Sequence, residues 1–228
     1  MKLPKPEVLA QNEGAWLDAY LADKANATKQ FRYRHHDIKG QLTRETSDKC
    51  VYCESKIGHN TPGDIEHKVP SAKQEHLHFT WANLTIACTE CNRRKNDYYD
   101  EYDGFLDPYV DNVEEMLEHH GPTVLWRAGE VRAEVSVKRL ELNSGDRIKL
   151  IVRKIAKLNE LATLLERHAA LDAGVLKDLL QKEIDSMGSV DAEYSAMVLA
   201  ILRAKQAQQD VVDAPVPEEG VNPVEGSW

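Results

Sequence analysis

The chain has 228 residues, of which 42% are apolar and 29% are charged, and its formal net charge is −9. This length is sufficient for one large or two small domains with a buried core. No run reaches the roughly 18 consecutive apolar residues of a membrane helix, and no apolar run follows the charged N-terminus, so we expect a cytoplasmic protein without a secretory signal or membrane contact.

The charge is unevenly distributed along the chain. Residues 208–228 contain five acidic residues and no basic ones, whereas residues 29–44 contain five basic residues against a single acid. Aromatic and histidine side chains alternate with the bases in the second segment. A basic surface is therefore compatible with the acidic total. The residues alone leave open whether residues 29–44 form a solvated face or contact DNA.

Apolar spacing predicts the elements of the first half of the chain. Residues 6–25 repeat apolar side chains every three or four positions, which indicates an amphipathic helix. Residues 29–44 follow without a clear pattern. After them, a turn at 58–63, a strand at 64–69, a second strand at 85–88 and a helix at 89–99 are predicted.

The second half is predicted to be mostly helical. Residues 124–137 are predicted to form a β-hairpin with its turn at Ala128-Gly129. A long helix should begin near Asn143 or Ser144, either of which is a good capping residue. Two further helices are expected at 172–187 and 191–205, and the tail from residue 210 is expected to be disordered. Their apolar stripes are interpreted as core, comprising Leu176, Leu179, Leu180, Ile184, Met197, Leu199, Ile201 and Leu202.

All four cysteines of the chain lie in two Cys-x-x-Cys pairs, Cys50/Cys53 and Cys88/Cys91. Four thiolates in two such pairs are typical of a closed, tetrahedral structural zinc site. A disulfide or four unrelated buried thiols would be the alternatives, and the expected cytoplasmic location disfavours the disulfide. A zinc ion with four sulfur ligands has no open position, so we expect it to hold the fold together without taking part in chemistry.

The segment between the cysteine pairs contains the sequence Asp64-Ile65-Glu66-His67. On a strand, Asp64 and Glu66 share a face, and His67 lies on the other face or beside them at the strand end. Carboxylates are ligands suited to Mg²⁺ or Mn²⁺, and an imidazole can take a proton from water near neutral pH. Such a run alone is more typical of a surface strand, but its position within the zinc clamp favours a catalytic site.

Several spacings together resemble the HNH endonucleases in their zinc-bearing form. The matching pieces are Cys50-x2-Cys53, Glu66-His67-x2-Pro70, Asn83-Leu84 and Cys88-x2-Cys91-Asn92-x2-Lys95. This resemblance covers roughly 50 residues and implies a small ββα-metal fold.

By position, the resemblance implies a role for each matching residue. His67 would be the general base, Asn83 a structural asparagine, and Glu66 with Asn92 the ligands of a catalytic Mg²⁺ or Mn²⁺. Asp64 would be a third ligand or would orient a water molecule. The chain differs from the family pattern in having Asn92 where the family name implies histidine, and Glu66 where aspartate is common. We also expect contacts with the DNA backbone from three helix residues, Arg93, Arg94 and Lys95; for Arg93 and Arg94 an exposed, solvated face is the alternative.

The flanking sequences resemble the HNH partner proteins of bacterial anti-phage systems of the Septu and retron kind. The matching pieces are Phe105-Leu106-Asp107-Pro108 and Leu140-Glu141-Leu142-Asn143 before a long helix. This resemblance implies a defence effector that acts with an ABC-type ATPase partner.

The predicted architecture is α+β and mostly helical. A ββα-metal (HNH) module, clamped by a four-cysteine zinc site, is flanked by an N-terminal helix and by a C-terminal helical domain with a β-hairpin. The predicted divisions are an N-terminal helix and basic segment (1–44), the nuclease module (45–104), a helical domain suited to partner docking (105–209) and an acidic tail (210–228). The function predicted is hydrolysis of DNA phosphodiester bonds. The alternatives are a zinc-dependent nucleic-acid-binding module without catalysis and an adaptor protein.

Overall fold

The computed structural model describes residues 2–58 and 63–212 of the chain. The described part is mostly helical, with two small two-stranded antiparallel sheets, as the sequence predicted. Within it, no helix is both long and apolar enough to cross a membrane. Most of the turn predicted at 58–63 and most of the tail predicted from residue 210 lie outside the described residues.

The N-terminal part consists of three helices that lead to the first cysteine pair. The predicted first helix is confirmed as α1 (Glu7–Ala22). The basic segment forms the end of α2 (Ala27–Gln30), a 3₁₀ turn (Phe31–Arg34) and α3 (His36–Glu45). The Asn26 side chain caps α2 by accepting hydrogen bonds from two backbone N–H groups, and His35 Nδ1 accepts one at the start of α3.

The central module contains two strands and one short helix. Strands β1 (Asp64–His67) and β2 (Leu84–Ala87) pair antiparallel, with Asp64 opposite Ala87 and His67 opposite Leu84. Helix α4 (Thr89–Lys95) begins directly after Cys88. Strand β1 ends before residue 69, its predicted end, because the Val69 N–H donates its hydrogen bond to the Asn83 side chain and not to a strand. The helix ends four residues earlier than predicted, where Asn96 has a positive φ of 49°.

The predicted position of the hairpin, residues 124–137, is wrong. The actual hairpin pairs β3 (Leu117–His120) with β4 (Thr123–Trp126), after a short helix α5 (Val113–Met116). Its turn is Gly121-Pro122, where Gly121 has a positive φ of 58°. The segment predicted as the second strand of this hairpin forms the helix α6 (Val131–Arg139) instead. Its valines follow a two-residue repeat over only a few positions. Its buried residues Ala133, Ser136 and Val137 follow the helical period instead.

Three helices complete the C-terminal part. Ser144 caps a 3₁₀ turn (Gly145–Arg147) that leads into α7 (Ile148–Ala169), whereas Asn143 binds both backbone groups of Val124 on β4. Helices α8 (Val175–Met187) and α9 (Ser195–Val212) follow, so α9 extends past the predicted start of the tail.

The core prediction for these helices is only partly correct. Leu180, Ile184 and Met197 are buried as expected. Leu176 and Leu179 are instead 51% and 55% exposed, because α8 packs on α7 through its other face. Helix α7 likewise leaves three apolar side chains exposed near its start, namely Ile148, Val152 and Ile155.

The stability of the fold should depend on pH through His119 on β3. This side chain is mostly buried, and its Nδ1 has no hydrogen-bond partner within the described residues. Burial, together with the nearby Lys154 and His120 charges and despite Glu54, lowers its pKa to about 4. The unfolded chain takes up this proton near pH 6.5 and the folded chain does not. The free energy of unfolding should therefore fall by up to ~3 kcal/mol as the pH drops from about 6.5 to about 4.

Urea unfolding at pH 7.5 and pH 4.5 measures this difference. His119→Gln should remove most of the contribution, and His76→Gln, at an exposed position of the central module, should leave the pH dependence of the parent chain unchanged. Equal pH dependence in all three proteins would contradict this assignment.

Candidate active site and metal clamp

The four cysteines lie together at the base of the central module. Cys50 and Cys53 come from the loop after α3, and Cys88 and Cys91 lie at the start of α4. All four are free thiols whose sulfur atoms lie within 4.8 Å of one another. A tetrahedral zinc ion with Zn–S bonds of about 2.3 Å separates its ligands by about 3.8 Å. The Sγ atoms of Cys53 and Cys88 are 3.8 Å apart, so the cluster fits zinc, and the four cysteines are unbonded to one another.

Hydrogen-bond donors surround this sulfur cluster. Arg147, in the turn before α7, places Nη1 at 3.3 Å from Cys91 Sγ and at 3.0 Å from the carbonyl oxygen of Leu140. Ser55 Oγ lies 3.3 Å from Cys53 Sγ, and the Cys91 N–H donates to Cys88 Sγ. Four thiolates around a divalent ion leave a net negative charge, which a buried guanidinium compensates. Sequence reasoning missed Arg147, because no local pattern connects it with cysteines more than fifty residues away.

The loop after Cys53 also holds the start of α9. Glu54 has a positive φ of 57°, and its carboxylate accepts hydrogen bonds from Ser195 Oγ, the Ala196 N–H and Lys49 Nζ. The hydroxyl groups of Ser55 and Tyr194 are 3.0 Å apart. The cysteine cluster is therefore the place where the helical C-terminal part attaches to the central module.

Strand β1 and helix α4 line a polar cleft of about 420 Å³. The residues named from the sequence that line it include Asp64, Glu66, His67 and Asn92. His67 lies at the end of β1, so it reaches the same cleft despite the strand alternation. Asp64 and Asn92 form no side-chain hydrogen bonds within the described part of the chain, which leaves their oxygen atoms available. This set of oxygen donors fits a hard divalent cation.

Glu66 is the most deeply buried member of this group, with 4% of its surface exposed. Lys95 Nζ lies 2.5 Å from Glu66 Oε1 and donates a 2.9 Å hydrogen bond to the backbone oxygen of His67. This close ion pair already engages the buried Oε1 of Glu66. Burial raises the pKa of Glu66 to about 7, although the Lys95 charge acts in the opposite direction. A cation bound by Glu66 would have to share this carboxylate with Lys95.

The imidazole of His67 is held by backbone and aromatic contacts. Its Nε2 lies 2.8 Å from the backbone oxygen of His78. A carbonyl oxygen can only accept, so Nε2 carries the proton and Nδ1 keeps its lone pair. The ring stacks on His78 at 4.9 Å and meets the edge of Tyr33 at 4.7 Å. Burial lowers the pKa of His67 to about 4, so the ring is neutral near pH 7 and able to accept a proton.

Asn83 connects the loops on either side of the strands. Its Oδ1 accepts from the Val69 N–H, and its Nδ2 donates to the backbone oxygens of Val69 and Leu77. The side chain is buried and takes part in no contact with the cleft. These contacts agree with the structural role expected for this asparagine.

The three helix cations expected at DNA are placed differently from one another. Arg93 is exposed and pairs with Glu90. Arg94 has a buried side chain that contacts Glu90 and Glu141, and Lys95 is 1% exposed against Glu66. The charged ends of Arg94 and Lys95 are thus engaged inside the protein, which is a correction to the expectation that they face DNA. A helical repeat of 3.6 residues cannot present three consecutive side chains to one surface.

The structure adds cleft residues that sequence reasoning did not assign. Tyr33, Arg34 and Lys39 come from the basic segment, and Asn96 ends α4. His78 supplies the carbonyl oxygen and the stacked ring next to His67. The interleaved charges and aromatics of residues 29–44 were the available signal, but they do not specify which side of the segment faces the cleft.

Loss of one cysteine should release the metal and destabilise the module. Structural zinc contributes about 10–16 kcal/mol in zinc-finger peptides, so Cys88→Ser should lower the zinc content below one ion per chain and lower the melting temperature. The control Glu90→Gln, exposed between two of the cysteines, should keep both values. The zinc content is measured by plasma mass spectrometry, and the melting temperature is measured by calorimetry. If removal of all metal from the parent chain left its melting temperature unchanged, the proposed zinc clamp would be contradicted.

The comparisons with known proteins agree with this geometry. Residues 50–98 match the model of the HNH endonuclease family. A Septu protein PtuB of Bacillus thuringiensis is 23% identical over 133 residues, which are 55% of this chain and 51% of that protein. A Septu protein PtuB of Bacillus mycoides (strain KBAB4) is 27% identical over 188 residues, 63% of each chain. The chain thus aligns with between half and two thirds of the length of these relatives. Residues 50–98 therefore form an HNH endonuclease-type domain, and the longer alignments show similarity to Septu proteins.

Proposed function

We propose that this chain is a metal-dependent HNH endonuclease that hydrolyses DNA phosphodiester bonds as an effector of anti-phage defence. One observation carries the proposal: a neutral, oriented His67 and the oxygen donors of Asp64, Glu66 and Asn92 line a single cleft next to a four-cysteine clamp. A passive zinc module has no use for this combination. The HNH match and the similarity to Septu proteins support the same reading.

In this proposal His67 is the general base. The hydrogen bond to the His78 carbonyl oxygen fixes the ring with Nδ1 unprotonated, and burial keeps the ring neutral at pH 7. Nδ1 would take a proton from the attacking water, and the imidazolium would be stabilised by the same carbonyl oxygen. Asn83 keeps the backbone after β1 in place through its hydrogen bonds to Val69, and in this way supports His67.

Asp64, Glu66 and Asn92 would hold the catalytic Mg²⁺ or Mn²⁺. Such an ion, when bound, neutralises the negative charge that develops on the phosphate and the leaving oxygen. Two or three protein ligands suffice, because Mg²⁺ retains water molecules and accepts phosphate oxygens. Lys95 compensates the charge of the buried Glu66 when no metal ion is bound. Its hydrogen bond to the backbone oxygen of His67 links the metal ligands to the base.

The remainder of the chain would control access to DNA and partner binding. We assign residues 105–209 to docking of an ABC-type ATPase, as the Septu resemblance implies. The exposed Ile148, Val152 and Ile155 recur on one face of α7 and form an apolar strip of the kind that mediates protein contacts. A cytoplasmic location is part of the same proposal.

A non-catalytic nucleic-acid-binding or adaptor function is the alternative. The observation that favours it is the buried Glu66–Lys95 pair, which engages a metal ligand of the proposed site. Under this alternative, the cleft would bind without cutting, and replacing His67 would change no chemical step.

Replacing the base should abolish cleavage. Plasmid DNA incubated with the purified chain and Mg²⁺ or Mn²⁺ should be nicked or cut, and His67→Ala should be slower by at least ~100-fold, as expected for loss of a general base. His67→Gln, which keeps a donor near the His78 carbonyl oxygen, serves as a second inactive variant if His67→Ala unfolds. His76→Ala, an exposed histidine of the same module, is the matched control. Equal cleavage rates for the parent and a folded His67 variant would refute the assignment.

The partner should raise the activity. If an ATPase encoded next to this chain presents DNA to it, cleavage by the mixture should exceed the cleavage by the isolated chain. Val152→Lys should abolish copurification, because a buried lysine in an apolar contact is costly. Glu160→Lys, at an exposed position on a different face of α7, should bind as the parent does. Full specific activity of the isolated chain, without copurification, would count against this role.

A further inference from the structure

The cleft contains residues from outside the HNH match. Residues 50–98 supply Asp64, Glu66, His67 and Asn92. Arg34 and Lys39 line the same cleft but come from the N-terminal segment, before the match begins. Both are cations, and they lie next to a site proposed to act on a phosphodiester. The N-terminal segment therefore contributes positive charge for a phosphate, which α4 does not present.

These two cations have no acidic partner within the part of the chain that the structure describes. The Arg34 guanidinium lies over the Phe31 ring at 4.2 Å, and Lys39 Nζ donates to the backbone oxygen of Gly63 at 2.9 Å. Most arginines elsewhere lie within 4 Å of a carboxylate, namely Arg93, Arg94, Arg127, Arg132, Arg153 and Arg203. In a chain with a net charge of −9, unpaired cations at a cleft indicate an external anion.

The segment is also fixed relative to the proposed base. His78 Nε2 donates to the backbone oxygen of Gln30, and the His78 backbone oxygen accepts from His67. Tyr33, directly before Arg34, is buried and packs its ring against His67. An anion bound by Arg34 would therefore be held at a constant position with respect to His67. Stacking on Phe31 also orients the planar guanidinium before any ligand arrives.

We propose that Arg34 and Lys39 bind the backbone phosphates next to the scissile bond, so that the N-terminal segment is the substrate-binding half of the active site. This inference rests on the proposed nuclease function and adds the residues that hold its substrate. It assigns Arg34 a planar contact with one phosphate and Lys39 a point-charge contact with another.

Salt-dependent DNA binding tests the inference without a need for turnover. Binding of a labelled DNA duplex is measured by fluorescence anisotropy at several salt concentrations, in the His67→Ala background with Mg²⁺. Each lost phosphate contact should reduce the slope of log K against log salt by about 0.9. Arg34→Gln and Lys39→Gln should each show this reduction and weaken binding about 3–10-fold, as expected for the loss of a single charge–phosphate contact. A residue with a merely structural role would not change this slope.

Two further variants make the test specific. Arg34→Lys should keep the slope, because the charge remains, but lose part of the affinity with the planar contact. Arg44→Gln removes an exposed arginine of α3 that lies outside the cleft, and should leave slope and affinity as in the parent. Melting temperatures confirm that the exposed Arg34 is replaced without unfolding.

The outcomes separate this inference from the nuclease assignment. Unchanged slopes in Arg34→Gln and Lys39→Gln, with DNA binding and parental cleavage retained, would overturn the inference and leave the proposed function intact. Equal losses in Arg44→Gln would overturn it as well, since the effect would then be one of total charge. A parent chain that neither binds nor cuts DNA would overturn both.

Discussion

The four-sulfur cluster is the constraint on which the central module depends. Its strands have four residues each, and its helix has seven. A two-stranded sheet and a helix of this length are each marginal in isolation. The cluster joins the loop before β1 to the first turn of α4, so one metal-dependent cross-link fixes both. Asn92 directly follows Cys91, and its place at the cleft is therefore set by the clamp.

A buried pair of opposite charges lies beside the proposed site. Placing a carboxylate and an ammonium in the interior costs several kcal/mol per ion, which close contact only partly offsets. The pair Glu66–Lys95 is nevertheless buried, and Lys95 additionally binds the His67 backbone. In water a glutamate titrates below a histidine, but here the pKa of Glu66 is about 7 and that of His67 is about 4. Burial thus favours the neutral form of both side chains, and strongly perturbed pKa values of this kind cluster at functional sites.

The sequence was informative where chemistry requires fixed spacing. Two Cys-x-x-Cys pairs around Asp64-Ile65-Glu66-His67 were sufficient to predict the clamp, the two strands and the cleft residues of β1. It was misleading where periodicity is short and ambiguous, as in residues 131–139, whose valines suggested a strand although the buried face is helical. Apolar spacing also could not distinguish the buried Leu180 from the exposed Leu179, because both fit a helical stripe. Long-range contacts such as Arg147 to Cys91 leave no local signal.

The positions of paired and unpaired cations determine where the chain could attract nucleic acid under the proposed function. Half of the exposed arginines in the described part of the chain pair with carboxylates, and the net charge is −9, so the long-range field disfavours a polyanion. Attraction is then confined to short distances, at the cleft where Arg34 and Lys39 are free of acidic partners among the described residues. Under the proposed function, the chain would capture DNA slowly from solution but hold it at the cleft once delivered. The apolar strip on α7 and the net charge of −9 therefore fit the arrangement proposed above, in which a partner would bring the DNA and the cleft would act only on what is presented to it.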